Sequence, residues 1–131
     1  MILDTSFLLD LKDGDPDAFA KATELFDEDI VQRVAIPSVM ELHYGARYTS
    51  SKEELRKIRN ILLMYPLVDV DERISRRAGE LLADADRRAG GDSGVDNEDA
   101  VIGAVADQHD EAVLTHNVDD FEALGVDVAT Y

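Results

Sequence analysis

The chain is 131 residues long, the usual size of one domain, and its 45% hydrophobic content excludes an intrinsically disordered protein. It has no cysteine, no apolar run near the roughly 18 residues that span a bilayer and no basic-then-apolar signal segment, so we expect a cytoplasmic protein with no membrane anchor. Its 29 acidic residues against 13 lysines and arginines give a formal net charge of −16, which in dilute salt disfavours a nucleic-acid ligand.

Short apolar segments alternate with helical patterns along the whole chain. Strands are predicted at residues 1–5, 34–38, 67–71, 112–115 and 126–130. Helices are predicted at residues 6–12, 14–26, 38–48, 51–65, 71–89, 97–109 and 119–124, with a glycine-rich linker at residues 90–94. Pro37 is expected to end the second strand. In the second helix Asp15 is the predicted cap, and the predicted apolar face consists of Phe19, Ala22, Leu25 and Phe26.

This alternation predicts a single α/β domain with a mainly parallel sheet, because parallel strands need helical crossovers between them. There are no internal repeats, and no shift in composition marks a second domain. Ligands of such sheets bind outside the carboxyl ends of the strands, which is where Asp4 follows the apolar run Met1-Ile2-Leu3.

Three further carboxylates occur in a common local pattern at the start of a helix. The patterns are Ser38-Val39-Met40-Glu41, Asp96-Asn97-Glu98-Asp99 and Asn117-Val118-Asp119-Asp120. Taken singly, each pattern is typical of a helix cap, with the last residue as the capping partner. Taken together, they indicate a site. The two helices that carry Glu41 and Asp120 each begin directly after a predicted strand, so these residues share the sheet edge with Asp4.

Carboxylates that converge on one edge repel one another unless a cation lies among them. Oxygen donors without cysteine or a histidine pair favour Mg²⁺, for which Mn²⁺ can substitute. The sequence therefore predicts a Mg²⁺ site, and the alternative is a set of helix caps.

Four segments resemble the PIN-domain ribonucleases, specifically the VapC-type toxins of toxin–antitoxin pairs. They are "ILDTSFLLDL", "PSVMELHYGA", "NEDAVIGAVA" and "LTHNVDDFEALGV", in the same order and at similar separations, and they frame nearly the whole chain. The resemblance implies one PIN-like domain over residues 1–131, with helices on both sides of the sheet. It also implies metal-dependent hydrolysis of RNA, a homodimer and a small antitoxin protein as partner.

The family's acidic positions fall on Asp4, Glu41 and Asp99. The fourth falls either on Asn117, which is an amide here, or on Asp120; we choose Asp120 as the metal ligand, with Asn117 in support. The resemblance implies that Asp4 and Asp99 anchor the metal, that Glu41 binds it or orients the attacking water, and that Asp120 completes the second side.

Hydroxyls of Thr5 or Ser6 and of Thr115 are expected beside this site, with helix capping as the competing role for Ser6 and Thr115. The histidines are scattered and are interpreted as surface or packing residues, although His116 lies between two site segments. Two groups of cations are candidates for phosphate contacts, with solvated faces paired to glutamates as the favoured interpretation. They are Arg47, Lys52, Arg56, Lys57 and Arg59, and Arg73, Arg76 and Arg77.

Apolar residues on the helices between Ser38 and Tyr65 exceed what a small core absorbs and predict an interface. They are Tyr44, Tyr48, Leu63 and Met64. The acidic, lysine-poor composition indicates a halophile, because the Debye length near 1 M salt is only about 3 Å and self-repulsion then largely disappears. An ordinary acidic protein is the alternative.

Several other functions remain open from the sequence. One is a PIN nuclease of RNA processing without an antitoxin, and another is an inactive PIN-like binding module whose carboxylates are only caps. An aspartyl-phosphate enzyme is disfavoured, because Ser6 stands where a phosphatase needs a second Asp and no lysine beyond Lys57 serves a receiver.

Overall fold

A parallel β-sheet of short strands runs through the centre of the protein. The computed structural model describes residues 1–131. The strands are β1 (Ile2–Leu3), β2 (Val34–Ala35), β3 (Leu67–Val68), β4 (Val113–Leu114) and β5 (Val128–Ala129). β1, β4 and β5 form a three-stranded sheet, and β2 and β3 form a two-stranded sheet. A parallel bridge between Ile2 and Arg33 joins the two. The strand order across the molecule is therefore β3-β2-β1-β4-β5.

Seven helices cover both faces of this sheet. They are α1 (Thr5–Lys12), α2 (Pro16–Asp27), α3 (Ile36–Tyr48), α4 (Lys52–Leu62), α5 (Glu72–Arg88), α6 (Asn97–His109) and α7 (Val118–Ala123). One apolar core contains buried side chains of α5, α6 and α7, and a second contains those of α1 to α4. The predicted α/β domain with a parallel sheet and helices on both sides is confirmed.

The strand order reverses between β1 and β4. From β1 the chain adds β2 and β3 on one side, and it then returns to add β4 and β5 on the other. A reversal of this kind opens a crevice at the carboxyl ends of the two central strands. Asp4 directly follows β1 and Thr115 directly follows β4, so both residues lie at this crevice.

The predicted strand lengths were wrong, and so was the start of the third helix. Each strand has two residues in place of the four or five expected, and after β1 and β2 the next helix begins almost at once, at Thr5 and Ile36. α3 begins at Ile36, and Pro37 lies in its first turn instead of ending a strand. A proline fits there because the first N–H groups of a helix have no intrahelical acceptor.

The predicted apolar face of α2 is only partly buried. Leu25 packs into the core, whereas Phe19 and Phe26 are 67% and 76% exposed. These two rings line a groove of about 840 Å³ between α1, α2 and α4, together with Ile61 and Met64. None of the seven helices combines the length and the apolar character that a membrane crossing requires.

Candidate active site

Asp4 occupies the cap position of α1 but does not cap the helix. Its side chain makes no capping hydrogen bond and is 4% exposed. Instead, its Oδ2 accepts hydrogen bonds from Ser6 Oγ at 2.9 Å and from Thr115 Oγ1 at 2.7 Å. Both bonds fall on the same oxygen, so Oδ1 is left without a protein donor. Ser6 and Thr115 thus support Asp4, and neither is the helix cap that the sequence left open.

Asp99 is the third residue of α6 and lies almost buried beside Asn117. The helix is capped by Asp96, whose Oδ1 accepts from the Asp99 N–H at 2.8 Å. The Asp99 carboxylate is not engaged in this cap, because its Oδ2 accepts from Asn117 Nδ2 at 3.0 Å. The same Nδ2 donates to Asp120 Oδ2 at 2.8 Å. One amide group therefore joins the two acids, and it presents nitrogen to them, since ionised carboxylates only accept.

Close packing holds α6 in place beneath these acids. A Cβ added at Gly103 would lie 3.0 Å from the Leu124 side chain, which is itself buried. The small residues that the sequence places on this helix thus permit a close approach to the segment after α7.

Glu41 on α3 lies beside Glu98, an acid that the sequence analysis did not select. Burial raises the pKa of Glu41 to about 8, helped by a hydrogen bond with Glu98 and by the charges of Glu98, Asp4 and Asp99. The pattern Asp96-Asn97-Glu98-Asp99 contains this acid, but nothing in the sequence indicates that its side chain reaches α3. Glu41 therefore has acidic neighbours from two other elements.

Asp99 is perturbed in the same direction. Burial raises the pKa of Asp99 to about 7, and the charges of Asp96, Asp4, Asp120 and Glu98 add to the effect. Repulsion of this kind requires the carboxylates to lie near one another. The four predicted acids and Glu98 thus lie near enough to influence one another's pKa at one end of the sheet, although no three of them converge on one point.

The donor chemistry of this site suits a divalent cation, whereas the present positions of its side chains do not form a metal site. Carboxylate oxygens are the ligands that Mg²⁺ prefers, and repelling carboxylates gain from a cation between them. However, no three aspartate, glutamate or histidine side chains converge in the way that holds a metal ion. Ser6 and Thr115 bind the Asp4 carboxylate, and Asn117 binds those of Asp99 and Asp120, in each case through a neutral donor. The metal site at Asp4, Glu41, Asp99 and Asp120 therefore stays a prediction.

Two buried hydroxyls near the site have no hydrogen-bond partner, Thr5 Oγ1 and Ser38 Oγ. Ser38 was predicted to cap its helix, but α3 begins two residues earlier and Ser38 lies inside the first turn. Glu41 is consequently not a capping partner. Each of these hydroxyls adjoins a candidate ligand, Thr5 next to Asp4 and Ser38 one helical turn before Glu41.

The two predicted groups of cations and the histidines follow the expected pattern in part. Lys57, Arg76 and Arg77 pair with acids on their own helices, at 3.7 Å to Glu54, 2.6 Å to Glu72 and 3.2 Å to Glu80 respectively. The other cations of the two groups make no ion pair, namely Arg47, Lys52, Arg56, Arg59 and Arg73. His109 bonds within its own helix, whereas His116 lies against residues that contact Asp4, as described below.

Comparisons with known proteins agree with this architecture. A family model described as the PIN domain matches residues 1–126. VapBC2 from Rickettsia felis, solved on a DNA fragment from their promoter, superposes with a TM-score of 0.81 at 19% identity, over 99% of this chain and 97% of that one. DNA-bound VapBC from Salmonella typhimurium gives 0.79 at 21%, over 98% and 96%. A toxin-antitoxin complex from Klebsiella pneumoniae gives 0.70 at 24%, over 92% and 88%. Curated protein sequences contain no significant match.

Proposed function

The chain belongs to the PIN-domain family, and on that basis we propose that it is a Mg²⁺-dependent endoribonuclease acting as the toxin of a toxin–antitoxin pair. The observation that supports the proposal is that Asp4, Glu41, Asp99 and Asp120 come from separate elements and influence one another's charge near the reversal of the strand order. Helix capping explains none of the first three carboxylates, because Asp4, Glu41 and Asp99 make no capping hydrogen bond.

The chain's own residues would hold the ion and the water. Asp4, through its free Oδ1, and Asp99 would bind Mg²⁺ or Mn²⁺, and Asp120 would complete the set of ligands. Asn117 would orient Asp99 and Asp120. A bound divalent ion would supply Lewis acidity, activating water and neutralising charge on the scissile phosphate. In the metal-free protein the pKa of Glu41 is raised to about 8, chiefly by burial, and a cation bound nearby would favour its ionised form, which would bind the ion or orient the attacking water.

An antitoxin partner is supported by the names of the similar structures and by the apolar groove. Those structures are two VapBC assemblies and one toxin-antitoxin complex, so we propose the same kind of partner for this chain. The exposed rings Phe19 and Phe26 and the side chain of Met64 are what a partner protein would cover.

A homodimer is proposed from a second apolar patch on α3. Tyr44 and Tyr48 stack with their ring centroids 6.0 Å apart, and they are 69% and 80% exposed. Met40 on the same helix is 58% exposed. The cytoplasmic location and the halophilic origin stay predictions from composition.

The direct test is cleavage of RNA by antitoxin-free protein in about 2 M KCl, where the net charge is screened. Mg²⁺, Mn²⁺ and EDTA would be compared on several RNAs, for wild type, Asp4→Asn and Asp119→Asn. Asp119 is exposed on α7 next to Asp120 and makes no side-chain hydrogen bond, so its variant carries the same charge change outside the site.

We expect cutting that needs the metal, that is lost in Asp4→Asn and that persists in Asp119→Asn. Intact RNA under all conditions, with folded protein, would instead favour a PIN-like binding module, which the lack of a preformed ligand group also supports. Cleavage by a protein that no antitoxin inhibits would favour a nuclease of RNA processing.

A further inference from the structure

A stacked pair of rings, His116 on Tyr131, lies beside the candidate site and has no role in the function proposed above. The ring centroids are 3.8 Å apart and the planes differ by 15°. The His116 backbone N–H lies 3.3 Å from Ser6 Oγ, to which it donates, and Ser6 Oγ donates to Asp4 Oδ2 at 2.9 Å. Only Ser6 therefore separates His116 from the carboxylate at the end of β1.

Hydrogen bonds and packing fix both rings. Tyr131 Oη donates to Asp10 Oδ2 at 2.6 Å, and the Tyr131 ring meets the edge of the fully buried Phe7 at a centroid distance of 5.0 Å. His116 Nδ1 lies 3.3 Å from the same Asp10 oxygen, and Nε2 lies 3.4 Å from the Tyr131 carbonyl oxygen. The orientation of the imidazole is thus set before any ligand arrives.

These contacts leave one part of His116 available, the ring face opposite Tyr131. The side chain is 53% exposed, although both of its nitrogens face protein acceptors. With its nitrogens turned towards these acceptors, the ring offers its flat π-surface to a ligand. Nucleic-acid bases stack on such surfaces whatever their identity, because every base has a π-face.

We propose that His116 is a substrate-binding residue, whose exposed face stacks on an unpaired RNA base next to the phosphate that is cut. Tyr131 and Asp10 are the positioning residues that hold the imidazole. The inference rests on the proposed nuclease function and adds to it a contact that is independent of phosphate charge. Salt weakens contacts between lysine or arginine and phosphate, whereas stacking involves no counterion release. A chain of net charge −16 repels RNA phosphates, so a contact that does not depend on phosphate charge helps it to hold RNA.

The experiment combines a change in the RNA with a change in the protein. A short RNA that the wild type cuts is prepared with an abasic sugar at each position flanking the cut site in turn. We expect one abasic position to lower kcat/KM about tenfold, mainly through KM, since stacking on an aromatic residue is typically worth that much. His116→Ala should lower kcat/KM on the intact RNA by a similar factor. The two changes combined should cost no more than either alone.

Two variants separate stacking from a structural role. His116→Phe keeps a ring on Tyr131 and loses the contact with Asp10, and we expect it to retain the wild-type KM and the sensitivity to the abasic position. His109→Ala is the matched control, because His109 lies about 15 Å along α6 from Asp99 and should leave both unchanged. Thermal melts establish that each variant is folded.

The outcomes distinguish this inference from the function on which it rests. If wild-type protein cuts RNA but no abasic position changes KM, the stacking contact is refuted and the nuclease stands, whether or not His116→Ala folds. Loss of activity in His116→Phe equal to that in His116→Ala would also refute it and make His116 a structural link to Asp10. Wild-type protein that neither cuts nor binds RNA would overturn both proposals.

Discussion

Asp99→Asn should stabilise the metal-free protein while abolishing its activity. The variant removes a nearly buried charge, and the new amide can keep the hydrogen bond from Asn117 through its own oxygen. The folded-state pKa of Asp99 is about 7 against an ordinary value of 3.8, a difference of about three units. At about 1.4 kcal/mol per unit, ionisation of Asp99 costs the fold up to about 4 kcal/mol at pH 8.

The measurable gain is smaller than this upper limit. Molar salt screens the repulsion among the carboxylates, and the new amide is itself buried beside acceptors. We therefore expect about 2 kcal/mol, or a rise in Tm of about 7 °C for a domain of this size. The assay is thermal or urea denaturation with EDTA present, followed by circular dichroism, with Asp119→Asn as the control that should not change stability.

The dependence on pH gives this prediction its sharpest test. A carboxyl group whose pKa is raised on folding contributes stability that is fully present below its unfolded pKa, and this contribution is lost as the pH rises through the folded pKa. The window for Asp99 thus runs from about pH 4 to about pH 7. The advantage of the variant should be largest at pH 8 and should disappear near pH 4. A variant less stable than wild type at pH 8, or an advantage independent of pH, would refute the reasoning.

Three further predictions concern packing, an unpaired hydroxyl and salt. Gly103→Ala should lower the free energy of unfolding by about 1–3 kcal/mol, because its methyl group would lie 3.0 Å from the Leu124 side chain, which is buried and has little room to move away. Gly79→Ala, at an exposed helical position with nothing within 4 Å, should raise the free energy of unfolding by about 0.5–1 kcal/mol. Urea titrations in which both alanine variants changed this free energy in the same direction would contradict the prediction. Ser38→Ala should raise the free energy of unfolding by about 1 kcal/mol, since the buried Ser38 Oγ has no partner, whereas a loss of about 1 kcal/mol in the same titration would show that the hydroxyl makes a stabilising hydrogen bond. Raising KCl from about 0.1 M to about 2 M should increase Tm, and a melting curve that salt leaves unchanged would count against the halophilic interpretation.

Local chemistry was enough to predict the bounds of α6 and the start of α2. α6 has the predicted bounds, Asn97–His109, because Asp96 caps it and the apolar pattern continues without a break. α2 likewise begins as predicted, with the Asp15 carboxylate accepting from the N–H of Asp17 and of Ala18. These signals lie within a few residues of the element that they define, so tertiary structure does not alter them.

Strand lengths and the start of α3 depended on contacts from elsewhere in the chain. The apolar segment around Val34 suggested a five-residue strand, but only two residues are paired, and the helix takes the rest. Proline is compatible both with the end of a strand and with the first turn of a helix. The sequence near Pro37 therefore allowed two structures, and the packing of α3 decided between them.

Within the site, the sequence predicted positions but not the directions of side chains. Asp4 was expected at the end of a strand because an apolar run precedes it, and it lies there. Two interactions were not foreseen: the Asn117 amide that bridges Asp99 and Asp120, and the approach of Glu98 to Glu41. The contacts of Asn117 with Asp99 and of Glu98 with Glu41 join different elements, so their geometry follows from the packing of the helices, whereas Asn117 and Asp120 lie three residues apart at the start of α7.

The unforeseen amide changes how metal binding and stability are related. Without a cation, Asn117 Nδ2 supplies the positive end of a dipole to two acids that would otherwise repel each other at close range. A cation bound by Asp99 competes both with this amide and with the proton on Asp99. The apparent affinity for Mg²⁺ should therefore rise with pH up to about 7, over the same window in which the metal-free fold loses stability. Saturating Mg²⁺ at pH 8 should then return to the wild type the stability that Asp99→Asn gains without metal, and it should add little to the variant. If Mg²⁺ raised the Tm of both proteins equally, the ion would be binding away from Asp99.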